Sequence, residues 1–143
     1  HYWLQRAKCT YRYAKEQSAL ETAYTYAKKS YDDGGQDIHY KASLTLSIIC
    51  CAISEHEKGQ DKINECRLAI RYANEAVFSD FYQQNNTSLQ LDLDAKQGKS
   101  HSGIQMVVNA CNFIKQNSTD VEDVEISESV LDRLHKLSLE KNS

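Results

Sequence analysis

The sequence predicts an all-α fold, built from about six helices that stack as antiparallel hairpins. Apolar residues recur every three or four positions through most of the chain, which is the spacing of one helix face. The 143 residues include no proline, whereas average usage would give about seven. Short turns that contain Gly or Asp separate the periodic segments. The length fits one domain over residues 1–143.

Four helices are predicted in the first half, over residues 1–16, 18–31, 37–57 and 61–77. The expected N-caps of the last three are Ser18, Asp37 and Asp61. Gly34 and Gly35 are expected to end the second helix in the left-handed C-cap conformation. The third helix contains SLTLSIICCAI, which is free of charge, so we expect it to be the most buried. Its β-branched residues leave a strand as the alternative, but its length favours a helix.

The second half is predicted to contain two more helices, over residues 103–117 and 127–141. Residues 79–102 are polar and rich in Gln and Asn, so they are predicted to form mostly loop between two helical halves. Leu89, Leu91 and Leu93 alternate there, which allows one helical turn or a short strand. The stretch DVEDVEISE carries five carboxylates and no base. Acidic residues near a helix N-terminus interact favourably with the helix dipole, which accounts for part of this stretch.

The net charge, the apolar runs and the cysteine positions argue against several classes of protein. The net charge of −3 argues against general nucleic-acid binding, which needs a basic face. No apolar run is long enough for a membrane span, and the start does not read as a signal peptide. Three of the five cysteines, Cys50, Cys66 and Cys111, fall on apolar helix positions. We therefore expect a reduced, cytoplasmic protein that contacts neither nucleic acid nor membrane.

No residue set predicts catalysis, a metal site or a cofactor site. The phosphate-binding patterns GxxxxGK[ST] and GxGxxG are absent from these residues. Zinc ligands usually come as closely spaced pairs, and the available side chains do not form one. These side chains are His39, His56, Cys50, Cys51, Cys66 and His101. A thiol nucleophile would need partial exposure, for which Cys9 and Cys51 are the better candidates. A small thiol or metal enzyme thus stays as the minor alternative.

A weak internal repeat refines the predicted architecture. Residues 23–27 (AYTYA) match residues 69–73 (AIRYA) at an offset of 46 residues. Small residues at this spacing let neighbouring helices approach closely, as helix-hairpin repeats require. The offset exceeds the roughly 34 residues of a tetratricopeptide repeat (TPR), so we expect irregular hairpins in a short, right-handed, TPR-like superhelix. An Ala-rich helix pair in any bundle could give the same match.

The first residues, HYWLQRA, begin within the helical pattern and without an N-cap. Tyr2 and Trp3 would then offer apolar area to a preceding segment. We therefore expect the chain to be a C-terminal fragment of a larger protein.

Three segments in the first third of the chain carry a family resemblance: Trp3-Leu4-Gln5-x-Ala7, Ala19 to Ala27, and Asp37-Ile38-His39-Tyr40-Lys41-Ala42. Together they resemble the C-terminal helical region of bacterial antiphage defence proteins. Such proteins carry a STAND-type P-loop NTPase, a sirtuin-like domain or another effector ahead of a helical tail. The polar stretch 79–102 and the acidic stretch have no counterpart in this pattern.

This resemblance implies a non-catalytic sensor and assembly arm that needs no cofactor. Its partners would be proteins: upstream domains of the same chain, a phage protein, or further copies in a homo-oligomer. A free-standing TPR-like adaptor is the alternative function.

Two groups of residues are candidates within this interpretation. Gln5, His39 and Tyr40 are the polar members of the motif that Trp3 opens, and we expect them to bond across helices rather than contact a ligand. Specifically, Gln5 or His39 should lie within hydrogen-bonding reach of a neighbouring helix. Six of the nine tyrosines fall between residues 11 and 40, where they serve either packing or an interface. Tyr13 and Tyr26 lie off the apolar stripes, so they are the predicted protein-binding residues.

Overall fold

The computed structural model describes residues 2–94 and 103–142, and in these residues it contains eight α-helices and no strand. The predicted all-α class is therefore confirmed, with two helices more than expected in the described residues. The helices are α1 (Tyr2–Arg12), α2 (Gln17–Asp33), α3 (Gln36–Ser54), α4 (Gly59–Val77), α5 (Asp80–Gln84), α6 (Asn86–Asp94), α7 (Gly103–Asn117) and α8 (Val121–Asn142).

The long helices pack in chain order as hairpins. α1 packs on α2, α2 on α3, α3 on α4, and α7 on α8, while α4 contacts both α7 and α8. α3 also contacts both α1 and α7. One cluster of buried side chains includes residues from all eight helices. The hairpins therefore share one continuous core, in which the Tyr11 hydroxyl of α1 also reaches the Met106 sulfur of α7 at 3.7 Å.

α3 is the central helix and is buried over most of its length, as its uncharged sequence predicts. Two small polar residues on it face α4. The Ser43 hydroxyl donates to the Tyr72 carbonyl at 2.8 Å, and the Ser47 hydroxyl donates to the Ala69 carbonyl at 2.7 Å. Residue numbers rise on α3 as they fall on α4, so the two helices are antiparallel. Hydroxyls that reach a neighbouring backbone require a close approach, which the small side chains of α3 and α4 permit.

The helix ends differ from the predicted ones. The N-caps of α2, α3 and α4 are Glu16, Gly35 and Lys58, without side-chain cap bonds, so Ser18, Asp37 and Asp61 are not caps. α1 ends at Arg12 rather than near residue 16.

Gly34 is extended, with a φ of −77°, rather than left-handed. Glycine is required at this position because there is no room for a side chain, and not because of the backbone conformation. A Cβ atom on Gly34 would lie 2.7 Å from both the Ser30 carbonyl oxygen and Ile38 Cγ2.

Residues 79–94 were predicted to be mostly loop, and this prediction is wrong. Ser79 caps α5, since its hydroxyl oxygen accepts a hydrogen bond from the Tyr82 backbone N–H at 3.2 Å. Leu89 and Leu93 of α6 are fully buried, whereas Leu91 of the same helix is 64% exposed. The i, i+4 leucines share one helix face, so the apparent alternation was a helical period. Residues 95–102 of the predicted loop lie outside the described residues.

α8 begins six residues before the predicted start at residue 127, so the acidic stretch forms its first turns. The Asp120 carboxylate accepts a hydrogen bond from the Glu122 backbone N–H at 2.9 Å. Glu122 and Asp123 lie in the first turn, where the helix dipole favours them, as expected. Asp123 has a further role, because it is buried against Arg67 and Arg71 of α4.

Candidate protein-binding surface on the first hairpin

The outer side of the α1–α2 hairpin carries five side chains that contact one another: Tyr2, Trp3, Arg6, Tyr26 and Lys29. We call them the aromatic–cation patch. The inward face of α1 is occupied by Leu4, Ala7 and Tyr11, which are buried. Positions beside this stripe therefore form the rim of the hairpin, and helical spacing places residues three or four apart together there.

Arg6 joins the two helices of the patch. Its guanidinium donates to the Tyr2 hydroxyl at 2.7 Å and to the Tyr26 hydroxyl at 3.0 Å. The guanidinium carbon also lies 4.6 Å from the centre of the Tyr26 ring, within cation–π range. The hydrogen bond to Tyr2 raises the pKa of Arg6. The patch thus presents a fixed positive charge between two aromatic rings.

Trp3 contacts both tyrosine rings of the patch. Its ring centre is 5.0 Å from that of Tyr2 and 5.7 Å from that of Tyr26. The Lys29 ammonium nitrogen lies 5.4 Å from the Trp3 ring centre. Tyr2 is 61% exposed, while Trp3 and Tyr26 are half-buried. Trp, Tyr and Arg are the residue types that dominate binding energy at protein interfaces.

The structure does not bring the two predicted contact tyrosines together. Tyr26 belongs to the aromatic–cation patch, but Tyr13 follows the end of α1 and is 71% exposed. Ten residues separate Tyr13 from Trp3, which corresponds to about 15 Å of helix at 1.5 Å per residue. Sequence reasoning missed Arg6 and Lys29 as members of the patch. The i, i+4 spacing of Tyr2 and Arg6 was the available signal.

Of the three polar motif residues, His39 and Tyr40 contact neighbouring side chains, whereas Gln5 is exposed. His39 lies between the Tyr31 carbonyl oxygen of α2 and the Glu75 carboxylate of α4. This arrangement confirms the expected bond from the motif to a neighbouring helix. Tyr40 is half-buried, with its ring edge-on to His39 at 5.4 Å. Gln5 is exposed on α1.

Four of the five thiols are buried, which makes them poor candidates for nucleophiles. Cys50, Cys66 and Cys111 are buried as predicted, and Cys51 is buried as well, contrary to expectation. Burial raises the pKa of Cys50 and Cys51 far above the ordinary thiol value, and it raises that of Cys111 to about 12. Cys9 is exposed. In the described part of the chain, no group of three or more His, Cys, Asp or Glu side chains could hold a metal ion.

Among the described helices, none combines the length and apolar character that a bilayer crossing needs. No protein-family model, curated protein or solved structure matches the chain.

Proposed function

We propose that this chain is a non-catalytic protein-recognition module and that the aromatic–cation patch is its contact surface. The supporting observation is Arg6, which donates to Tyr2 on its own helix and to Tyr26 on the next. These bonds hold the aromatic rings in place before any partner arrives. A preordered surface loses less side-chain entropy on binding, so more of its contact energy appears as affinity.

Residue type and exposure both favour recognition over internal packing. Tyr2 keeps 61% of its surface exposed although it contacts Trp3 and Arg6. A side chain that only stabilised the hairpin would gain by being covered. Tyr, Trp and Arg are also enriched at protein interfaces, where their amphipathic bodies bury area and their polar ends bond.

The more specific proposal is the sensor arm of a bacterial antiphage defence protein in the cytoplasm. The supporting observation is the motif that runs from Trp3 to Ala42. In this account the hairpins form a short, right-handed, TPR-like superhelix. The partner is an upstream domain of the same chain, a phage protein or a further copy, and a STAND-type NTPase or another effector responds. A free-standing adaptor would use the same patch without an attached effector.

The test is a phage challenge with the natural reading frame expressed in a susceptible bacterium. We expect the intact frame to reduce the plating efficiency of at least one phage, and the double variant Trp3→Ala, Arg6→Ala to lose this protection. Lys15→Ala, an exposed cation between α1 and α2, should retain it. Protection that persists in the double variant would contradict a role for the patch. A frame without an effector domain and without protection would favour the adaptor.

A further inference from the structure

A second surface, made of residues outside the aromatic–cation patch, lies beside the end of α4. An open cleft of about 350 Å³ lies where α4 ends and α5 and α6 begin, and α8 closes its other side. It is lined by Phe78, Gln83, Asn86, Arg133 and Lys136. The lining contains two cations, two amides and one aromatic ring, without a carboxylate.

Arg133 is held in place by one contact. Its Nε–H donates to the Val77 carbonyl at 3.3 Å, in the last turn of α4. Within the described residues this is its only hydrogen bond, and it forms no ion pair there. A guanidinium has five N–H donors in a rigid fork. The four donors on the two Nη atoms are therefore available for an oxygen acid, which they can bind with two parallel hydrogen bonds.

Lys136, one helical turn further along α8, brings a second positive charge to the cleft. It pairs with Asp132 at 3.2 Å, but both side chains are about two-thirds exposed. Exposed i, i+4 pairs of this kind contribute little free energy, so an incoming carboxylate can compete with Asp132. Phe78 is 40% exposed and forms an apolar wall beside the cations.

We propose that this cleft binds a Glu or Asp side chain of a partner protein, with an apolar neighbour of that residue packing on Phe78. The proposal rests on the protein-recognition function but uses a surface distinct from the patch. Two cations suit a single carboxylate, whereas the net charge of −3 disfavours a polyanion such as nucleic acid. The adjacent aromatic ring supplies the apolar contact that a free inorganic anion would not use.

The experiment is an NMR titration of the full, isotope-labelled chain with blocked peptides. Acetyl-Gly-Leu-Glu-Leu-Gly-amide should shift the Arg133 Nε–H signal and the Phe78 amide, while the matched Gln peptide should shift neither. Arg133→Gln should weaken binding about tenfold or more, which is the loss expected for one bidentate pair. Arg12→Gln, an exposed cation on α1, is the control and should bind as the parent does.

Arg133 also supports the end of α4, so its variant tests folding and binding together. Lys136→Gln separates the two, because Lys136 makes no contact with α4 among its hydrogen bonds and ion pairs. We expect a weaker affinity for the Glu peptide with an unchanged midpoint of urea unfolding. Equal binding of the Gln peptide, unchanged affinity in Lys136→Gln, or tighter binding of inorganic phosphate or a phosphoserine peptide would each overturn the proposal. Such a failure leaves the phage challenge unaffected, so the two proposals fail separately.

Discussion

His39 of α3 is clamped between two acceptors, and the stronger of these is Glu75 of α4. Its Nδ1 lies 2.9 Å from the Tyr31 carbonyl oxygen, and its Nε2 contacts the Glu75 carboxylate. The two ring nitrogens thus face one acceptor oxygen on α2 and one on α4. The Tyr31 hydroxyl donates to the other carboxylate oxygen at 2.8 Å. The contact therefore links α2, α3 and α4 at one point.

Replacing Glu75 by Gln should destabilise the fold. The amide keeps the shape but loses the charge, and only one of its two ends can still accept a hydrogen bond from His39 or Tyr31. We expect the free energy of unfolding to fall by about 1–3 kcal/mol, the cost of a disrupted, partly buried polar contact. Urea unfolding followed by circular dichroism measures it.

The matched control is Asp33→Asn, which removes the exposed Lys29–Asp33 pair at 3.1 Å. Exposed pairs contribute little, so this change should stay within about 0.5 kcal/mol. Equal effects of the two variants would show that the His39–Glu75 contact does not hold the three helices together.

Because of Asp123, the free energy of unfolding should depend on pH in the acid range. It is 1% exposed and contacts Arg67 Nε at 2.9 Å, Arg71 Nη2 at 2.7 Å and the Ser118 hydroxyl at 2.9 Å. Burial alone would raise the pKa of Asp123, but hydrogen bonds from Arg71, Ser118 and Arg67 outweigh it and leave that pKa lowered. The folded state therefore binds this proton less readily than the unfolded state does.

Asp123 therefore contributes fully to the free energy of unfolding above its pKa in the unfolded chain, which is near 4. This contribution is lost as the pH falls through the lower pKa that Asp123 has in the folded state. Asp123→Asn removes the anion that Arg67 and Arg71 share, and because both arginines are at least one-third exposed, this should cost about 1–3 kcal/mol at pH 7. We expect the difference in unfolding free energy between parent and variant to be constant from pH 7 to 5 and to narrow below pH 4. Glu122→Gln, whose side chain is 73% exposed, is the control. A difference that stays constant or widens in acid would refute this assignment.

The two glycines between α2 and α3 should respond differently to alanine. A Cβ atom at Gly34 would lie 2.7 Å from the Ser30 carbonyl oxygen, which belongs to the backbone and cannot move aside easily. At Gly35 a Cβ atom would meet nothing within 4 Å. Gly34→Ala should therefore lower the free energy of unfolding by about 1–3 kcal/mol.

For Gly35→Ala we expect a change below about 1 kcal/mol in either direction. Chemical unfolding of both variants under one set of conditions makes the comparison. A larger loss at Gly35 than at Gly34 would mean that the turn is packed differently.

The thiols should separate into one reactive and four protected groups. Cys9 is exposed, while burial raises the pKa of Cys50, Cys51, Cys66 and Cys111. Titration with a disulfide reagent at pH 7 should show one fast equivalent, which Cys9→Ser removes, and four more only in denaturant. A second fast equivalent in the native protein would reopen the thiol-enzyme alternative.

The sequence predicted what depends on local periodicity. Leu20, Ala23 and Ala27 are buried on α2 as their spacing requires, and the uncharged run of α3 forms the centre of the core. Sequence-based prediction failed where a residue's contacting side chains lie far away along the chain. The start of α8 depends on Asp123, whose partners Arg67 and Arg71 lie more than fifty residues earlier.

The candidate surface also depends on contacts between helices that the local sequence does not reveal. Tyr13 and Tyr26 were both recognised as off the apolar stripes, but only the packing of α1 on α2 decides which one meets Trp3 and Arg6. A six-residue window also cannot distinguish the alternation of Leu89, Leu91 and Leu93 from an i, i+4 helical pair, and burial of α6 against α7 decides it.

Photo-crosslinking tests the recognition function most directly. We would place benzoylphenylalanine at Tyr2, in the aromatic–cation patch, and in a second variant at Val121 on α8, which is 70% exposed. Both would be expressed within the natural reading frame and illuminated in cells with and without phage challenge. The account predicts a defined crosslinked protein, or an intramolecular crosslink to another domain, from position 2 and not from position 121. Identical products from both positions, or none from position 2 in cells that are protected, would contradict it.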